Sequence, residues 1–238
     1  MEQQYPITQR SKAKRLRERA TYDVKAVYAL LDASLLCHIA YVIDGQPFCT
    51  PTTFWRRGNL VVWHGSVGSR MLREQAAKHL EVCLTVSHLD SVVVTRSAFG
   101  HSVNYRSAML FGRAELIEDP DEKLLESRLV MDHFLPGRSG LVVPPTPSEV
   151  KQVSFLKMNI DEAVVKVRNY PASHEPPEHR GHKVWAGQIP IETRIREPVP
   201  CELLDPSIAK GPDIARYREG ARLDETLSQI RREAQEDP

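Results

Sequence analysis

Residues Leu35–Trp63 read LLCHIAYVIDGQPFCTPTTFWRRGNLVVW. Two turn pairs, Asp44-Gly45 and Gly58-Asn59, cut this stretch into three apolar runs rich in β-branched and aromatic residues. An Asp-Gly pair accepts the positive φ angles that a two-residue hairpin requires, and runs of this composition favour extended chain. The expectation is a meander: strand Leu35–Ile43, hairpin, strand Pro47–Trp55, turn, strand Leu60–Trp63.

The pattern continues on both sides. Upstream, Asp23 is placed to cap a short helix running to Ser34, with Val24, Val27, Tyr28 and Leu31 at helical spacing. Downstream, HGSVGSRM (His64–Met71) interrupts the meander and opens a helical segment, Met71–His79. Strands are expected at Glu81–Ser87, at Ser91–Ala98 and along Tyr105–Glu118, where Met109, Phe111, Ala114 and Leu116 mark the alternation. Pro120 suits the first turn of a helix, Asp121–Phe134, because its missing N–H costs little there. PGRSGLVVPPTP (136–147) reads as a loop, and Val153–Arg168 as a long strand or a strand pair. Six or more strands with short helices between them indicate a mainly β, α+β fold: an antiparallel barrel or curled sheet, not a parallel doubly wound one.

Composition sets the outer bounds. With 238 residues, 41% hydrophobic and 26% charged, the chain can bury one sizeable core. A net charge of +1 provides no global attraction for nucleic acid or an anionic membrane. No apolar run approaches the roughly 20 residues of a spanning helix, and no signal-like apolar stretch follows the basic N-terminus; a cytoplasmic location is expected. The organisation expected is a solvated basic arm at 1–20, mobile or a frayed helix, then a domain at 21–196. A proline-interrupted segment with a charged helical tail follows at 197–238, its thin apolar stripe running through Ile214, Tyr217, Ala221, Leu227 and Ile230. The four cysteines include no CxxC pair, which argues against a cysteine-based zinc site, and no metal site is expected.

HGSVGSRM combines two glycines, two serines and an arginine where strand passes into helix. It lacks the GxxxxGK[ST] and GxGxxG phosphate signatures and the GxSxG nucleophile elbow. Two readings remain: a site for a phosphate monoester or similar anion, built from hydroxyls, backbone N–H groups and Arg70 at the positive end of a helix, or an ordinary helix start capped by Ser66 or Ser69.

The ordered set GQPFCTPTTFW, HGSVGSRM, TRSAFGHSVNYRSAMLFGRA, PGR, AVVKVR and VWAGQIP resembles the pyridoxamine 5′-phosphate oxidase-related FMN-binding split-barrel family, in particular its nitroimidazole-reductase-like branch, over about residues 20–195. The resemblance implies a six-stranded antiparallel split barrel, with FMN in a cleft between the two subunits of a homodimer. It implies that Ser66, Ser69 and Arg70 grip the phosphate, and that Thr50, Pro51, Thr52 and Thr53 face the edge of the flavin ring. Asn104, Tyr105, Arg106 and Ser107 would lie near the dimer cleft, while Trp185 and Gly187 would close over the cofactor. Arg106 is the candidate for polarising the ring, or else a surface arginine paired with a carboxylate. His64 is a candidate for positioning substrate or moving a proton, or else a structural histidine. Lys166 and Arg168 share one strand face and are candidates for attracting an anionic substrate, or else two bases on an ordinary exposed strand face. The chain departs from true pyridoxamine 5′-phosphate oxidases at VWAGQIPIETRIREP, which lacks their tryptophan-rich ending, so oxidation of the B6 vitamer is not expected.

These readings converge on an FMN-dependent oxidoreductase carrying electrons from a nicotinamide donor to a small acceptor, nitroaromatic or quinone-like, with deazaflavin as an alternative cofactor. Two other classes stay open. His174, His179 and His182 suggest a haem-binding or haem-degrading split barrel, and the basic arm and tail suggest a non-catalytic flavin module.

Overall fold

The computed structural model describes residues 3–66, 80–173 and 176–236. Ten strands form one curled antiparallel sheet: β1 (Ala20–Thr21), β2 (Leu36–Ile43), β3 (Gln46–Arg57), β4 (Leu60–Ser66), β5 (Glu81–Val94), β6 (Ser102–Arg113), β7 (Glu115–Leu116), β8 (Val153–Asn159), β9 (Glu162–Arg168) and β10 (Gly187–Pro190). Their order is β1-β9-β6-β5-β2-β3-β4-β8-β7, with β10 added on β5. The split lies in β3. Up to Thr53 it pairs with β2, and from Phe54 it pairs with β4.

The meander forms as expected. Asp44 and Gly45 have φ angles of 49° and 78°, the left-handed pair that a tight hairpin needs, and the register runs from Ile43↔Gln46 to Leu36↔Thr53. Helix α1 (Val24–Asp32) starts at Asp23, whose carboxylate accepts the N–H of Ala26 at 2.8 Å. It closes one end of the barrel, packing Val27, Leu30 and Leu31 on a core of Ile39, Phe54, Trp63, Leu84, Leu110 and Met158. A second, smaller core of Trp55, Val62, Ile117 and Phe155 lies outside the barrel wall, beneath Leu129 and Val130 of α2 (Pro120–Phe134). Glu126 of that helix is fully buried and accepts hydrogen bonds from Trp55 Nε1 and Arg57 Nη2, each at 2.7 Å.

Several expectations change. Glu81–Ser87 and Ser91–Ala98 are one strand, not two, because a bulge between Leu89 and Ser91 absorbs Asp90 without breaking the ladder to β6. Tyr105–Glu118 divides into β6 and β7 at Ala114, whose N–H bonds to Leu80 O. Val153–Arg168 is a strand pair. The proline-rich loop runs at its last residue into a short helix, α3 (Pro147–Lys151), started by a capping box between Thr146 and Glu149. The helix expected at Met71–His79 lies outside the described residues.

Both chain ends dock on the barrel. From the basic arm, Tyr5 enters the core and donates a 2.5 Å hydrogen bond to Asn59, Ser11 is buried, and Arg10 pairs with Glu81 and Glu162. The arm expected to be mobile is therefore held by polar contacts that no apolar stripe announced. The tail forms α4 (Pro212–Ala215) and α5 (Leu223–Glu236), separated by a turn at Gly220 with φ 79°. Leu227 and Ile230 are buried, and α5 touches α1. Among the cysteines only Cys37 is buried, and its burial pushes the thiol up to about 12; none is disulfide-bonded.

Candidate functional site

A cavity of about 590 Å³ opens where the end of α1, the bulge of β5, β6, the segment after β10 and the start of α5 meet. Leu36, Leu89, Phe134, Ile191 and Leu227 provide its apolar wall, and Ser34, His88, Asp90, Arg106, Arg222 and Asp224 its polar rim. This size and mixture suit a mid-sized organic ligand.

The rim is a charge network. Arg106 lies opposite His88 in the β5–β6 ladder. Its Nε and Nη2 donate to Asp90 at 3.1 and 2.7 Å, and Nη2 also donates to Asp224 of α5 at 2.9 Å. Those bonds, led by the one to Asp90, hold the guanidinium pKa above its ordinary value. Burial alone would raise Asp224, but hydrogen bonds from Arg222 and Arg106 outweigh it and bring the carboxyl down to about 2. His88 Nε2 is 2.8 Å from Ser34 Oγ, whose own proton goes to Leu30 O at 2.8 Å. The imidazole therefore donates from Nε2, and burial, then the nearby Arg106, lowers its pKa.

The sequence candidates fall into four groups. Thr53 and Arg106 line the cavity, but Arg106 is taken by two carboxylates, the alternative its sequence reading allowed. Thr50, Pro51 and Thr52 lie on β3 close by; Thr50 and Thr52 alternate on one face, Thr52 Oγ1 donating to His64 O at 3.3 Å, while Pro51 is exposed on the other.

Asn104, Tyr105, Ser107, Lys166 and Arg168 form the second group. Asn104 is buried and clamps the chain after β9: Nδ2 donates to Tyr170 O, and Oδ1 accepts from Tyr170 N and Arg168 Nη1. Arg168 is correspondingly buried, with burial lowering its pKa, and does not form the exposed cationic pair with Lys166 that would attract an anion. Its strand partner Tyr105 is half-buried; Ser107 donates to Lys166 O at 3.5 Å.

The third group is Trp185 and Gly187. Trp185 is 64% exposed, and a Cβ on Gly187 would stand 2.7 Å from its ring, so the indole rests on the glycine backbone.

His64, Ser66, Ser69 and Arg70 belong to the remaining stretch. His64 ends up in the outer core, its ring 6.1 Å from those of Trp55 and Phe155. Burial lowers its pKa, and its Nδ1 is buried with no partner. Ser66 pairs through its backbone with Val153 at the end of β4. Its side chain, together with Ser69 and Arg70, lies outside the described residues.

His88, Asp90 and Asp224 escaped the sequence reading. They have no local motif, and only the bulge and the docked tail bring them together.

Two further histidines bear on cofactors. His101 is exposed, and its Nδ1 is 2.9 Å from Ser97 O, an atom that can only accept, so Nδ1 is the donor of that bond. The same carbonyl accepts from Thr95 Oγ1 and Gly100 N, and Phe99 beside it is fully exposed. His179 has a buried, unpartnered Nδ1 and His182 is exposed; His174 lies outside the described residues. No cluster of three or more His, Cys, Asp or Glu suited to a metal ion occurs among the described residues. Nor does any helix among them have the length and apolarity to cross a membrane.

Comparison with known proteins places this arrangement in context. The family model for pyridoxamine 5′-phosphate oxidase matches residues 23–167. Among solved structures, the flavocytochrome Anf3 from Azotobacter vinelandii is 38% identical and superposes with a TM-score of 0.82, over 90% of this chain and 98% of that one. The FAD and haem binding protein from Mycobacterium smegmatis is 31% identical with a TM-score of 0.79, over 86% of this chain and 98% of that one. A candidate 5-nitroimidazole antibiotic resistance protein from Bacteroides thetaiotaomicron shares the fold at 22% identity and a TM-score of 0.51, over 62% and 86%. Among curated proteins no match is found. The chain therefore belongs to the pyridoxamine 5′-phosphate oxidase family of flavin-binding split barrels.

Proposed function

We propose that this chain is a flavin-dependent oxidoreductase that holds FMN or FAD and carries electrons from a nicotinamide donor to a small acceptor. The observation that carries the reading is the near full-length likeness to the flavocytochrome, at 38% identity. The cavity rim agrees with it. Its apolar slot between Leu36, Leu89 and Phe134 suits a flat ring system, and the Thr53 hydroxyl and the His88–Ser34 pair offer polar groups at its border.

The flavin supplies the electron chemistry when bound. In this reading the protein binds, orients and shields. Ser66, Ser69 and Arg70 anchor the phosphate; Thr50, Pro51, Thr52 and Thr53 border the ring edge; Trp185 over Gly187 covers it. Arg106 acts as a positioning residue that fixes α5 as a wall of the cleft, not as a free cation. The protein works as a homodimer, supported by apolar side chains left exposed on the barrel surface, Leu36 and Val42 of β2 and Leu89 of β5. The location proposed is cytoplasmic.

A second reading adds haem. The relative at 38% identity is described as a flavocytochrome and the one at 31% as an FAD and haem binding protein, and the exposed His101 has a feature that suits an axial ligand: one of its ring nitrogens is held by a backbone carbonyl. The His174–His182 loop is the other candidate source of a ligand.

The absorbance spectrum of freshly purified protein, with mass spectrometry of the released cofactor, tests both readings. Flavin bands, with FMN or FAD identified, support the first. A protein that contains no flavin and takes up neither FMN nor FAD refutes it. A Soret band that shifts in His101→Ala supports the second, and one that never forms on haem titration removes it.

A further inference from the structure

The ends of α1, α2 and β3 and the last turns of α5 line a second cavity of about 310 Å³, with Asp32, Trp55, Arg56, His133 and Arg231 among its walls. It lies apart from the cleft described above and shares no lining residue with it.

Its charges do not balance. Arg231 is 8% exposed, yet Nε and Nη2 are both buried without a hydrogen-bond partner. His133 is 6% exposed, and its Nε2 is likewise buried and unpartnered. The neighbouring carboxylates are engaged elsewhere. Both oxygens of Asp32 are taken by Arg56, at 2.9 and 2.6 Å, and Arg56 also donates to Gly58 O and stacks over the Tyr28 ring at 4.0 Å. Asp132 accepts from the N–H and hydroxyl of Ser139. Glu126 holds Arg57 and Trp55.

The charge of Asp32 still acts on Arg231 across the cavity, but it makes no hydrogen bond to Nε or Nη2; leaving the donors of a buried guanidinium unsatisfied is costly, and proteins pair such groups. Burial lowers the Arg231 pKa only to about 10, which leaves it cationic at neutral pH. Burial, followed by the charges of Arg231 and Arg56, lowers His133 to about 2, so it is neutral there and can donate from Nε2 as one tautomer.

We propose that this cavity is a binding site for a compact oxyanion, a phosphate or a carboxylate, held by Nε and Nη2 of Arg231 and by Nε2 of His133. A guanidinium presents two adjacent donors in a plane, the arrangement that matches two oxygens of one such group. The anion would connect α5 with α2 across the cavity. The site is independent of the flavin reading, because none of its residues lines the proposed cleft.

The test is titration of the full-length protein at constant ionic strength with inorganic phosphate, glycerol phosphate and acetate, followed by thermal melting and by calorimetry. The wild type should show a saturable rise in Tm with at least one of them. Arg231→Met should weaken that anion by at least about 10-fold, the loss expected when charge-assisted bonds are removed. In anion-free buffer the same variant should melt no lower than the wild type, since it sheds an unpaired buried charge; a purely structural Arg231 would instead lower Tm in every buffer. Phosphate and acetate binding alike assigns the site to free small anions, and preference for glycerol phosphate assigns it to the headgroup of a larger ligand. Absence of saturable binding with all three, or equal binding by wild type and Arg231→Met, overturns the proposal. Should Arg231→Met fail to fold, Arg231→Lys, which keeps the charge but loses the planar pair of donors, must still bind more weakly than the wild type.

Discussion

Replacing Asp224 with asparagine would remove the charge that fastens α5 to the barrel while nearly preserving shape. Its carboxylate accepts from Arg106 Nη2 and Arg222 Nη2, each at 2.9 Å, and from Arg222 Nε at 3.2 Å. The side chain is only 13% exposed, so solvent screens these bonds weakly. Folding depresses the carboxyl from 3.8 to about 2; at about 1.4 kcal/mol per pKa unit this corresponds to roughly 2 kcal/mol of stability. For a chain of this size that is a fall in Tm of about 4–8 °C. The sign follows from the direction of the shift. A carboxyl depressed by folding contributes fully above its unfolded pKa and loses the contribution as pH drops towards the folded one. The gap between wild type and Asp224→Asn should therefore be complete at pH 7 and shrink by about half at pH 3. Urea denaturation at the two pH values, with thermal melts alongside, measures it. A gap equal at pH 7 and pH 3, or one below about 0.5 kcal/mol at pH 7, would refute the claim that ion pairing at Asp224 holds the helix.

Three other perturbations probe separate parts of the fold. Gly112→Ala places a Cβ 2.3 Å from the carbonyl oxygen of Asn159 and 2.7 Å from Met158 Cγ, where β6 passes β8; a loss of about 1–3 kcal/mol is expected in chemical denaturation. Trp55→Phe keeps the packing of the outer core but strips one donor from the fully buried Glu126, and should cost about 1–3 kcal/mol in the same assay. His133 has a folded pKa near 2 against an ordinary 6.5, so the unfolded chain binds the extra proton between those values and stability must fall as pH drops below about 6.5. In anion-free buffer the wild type should lose stability more steeply than His133→Gln between pH 6 and 4.5, by up to about 1.4 kcal/mol per pH unit; parallel curves would contradict a neutral buried His133.

What could be read in the sequence was local in origin. The Asp44-Gly45 hairpin, the Asp23 cap and the Pro120 helix start each depend on a few adjacent residues, and each appears where its chemistry put it. The Thr146–Glu149 capping box is equally local, but the prolines at 144, 145 and 147 around it mask it as loop. The continuity of β5 was not legible, because the bulge at Asp90 is set by a partner strand and by Arg106, sixteen residues away. The tail is divided: its apolar stripe marks Leu227 and Ile230, which are buried, but nothing local marks the bond from Arg106 to Asp224 across 118 residues. The docking of the arm was not legible, because Tyr5 reaches Asn59 across 54 residues as a single polar contact that leaves no periodic trace. The candidate site divides the same way. Residues on one strand, such as Thr50 to Thr53, could be named from a motif, whereas the His88–Asp90–Asp224 rim exists only after the tail has folded back.

The division of β3 between its two partners has a mechanical consequence. Along the ladder, the hydrogen-bonded sheet passes from one half to the other through this strand, at Thr53 and Phe54. The chain crosses between the halves again where β6 runs into β7 at Ala114 and where β8 turns into β9 at Ile160 and Asp161. The halves are therefore tied on two sides like the faces of a purse, and what keeps them apart is its contents, chiefly Phe54, Trp63 and the apolar face of α1, so the bulk of these side chains is the gauge that spaces the two halves.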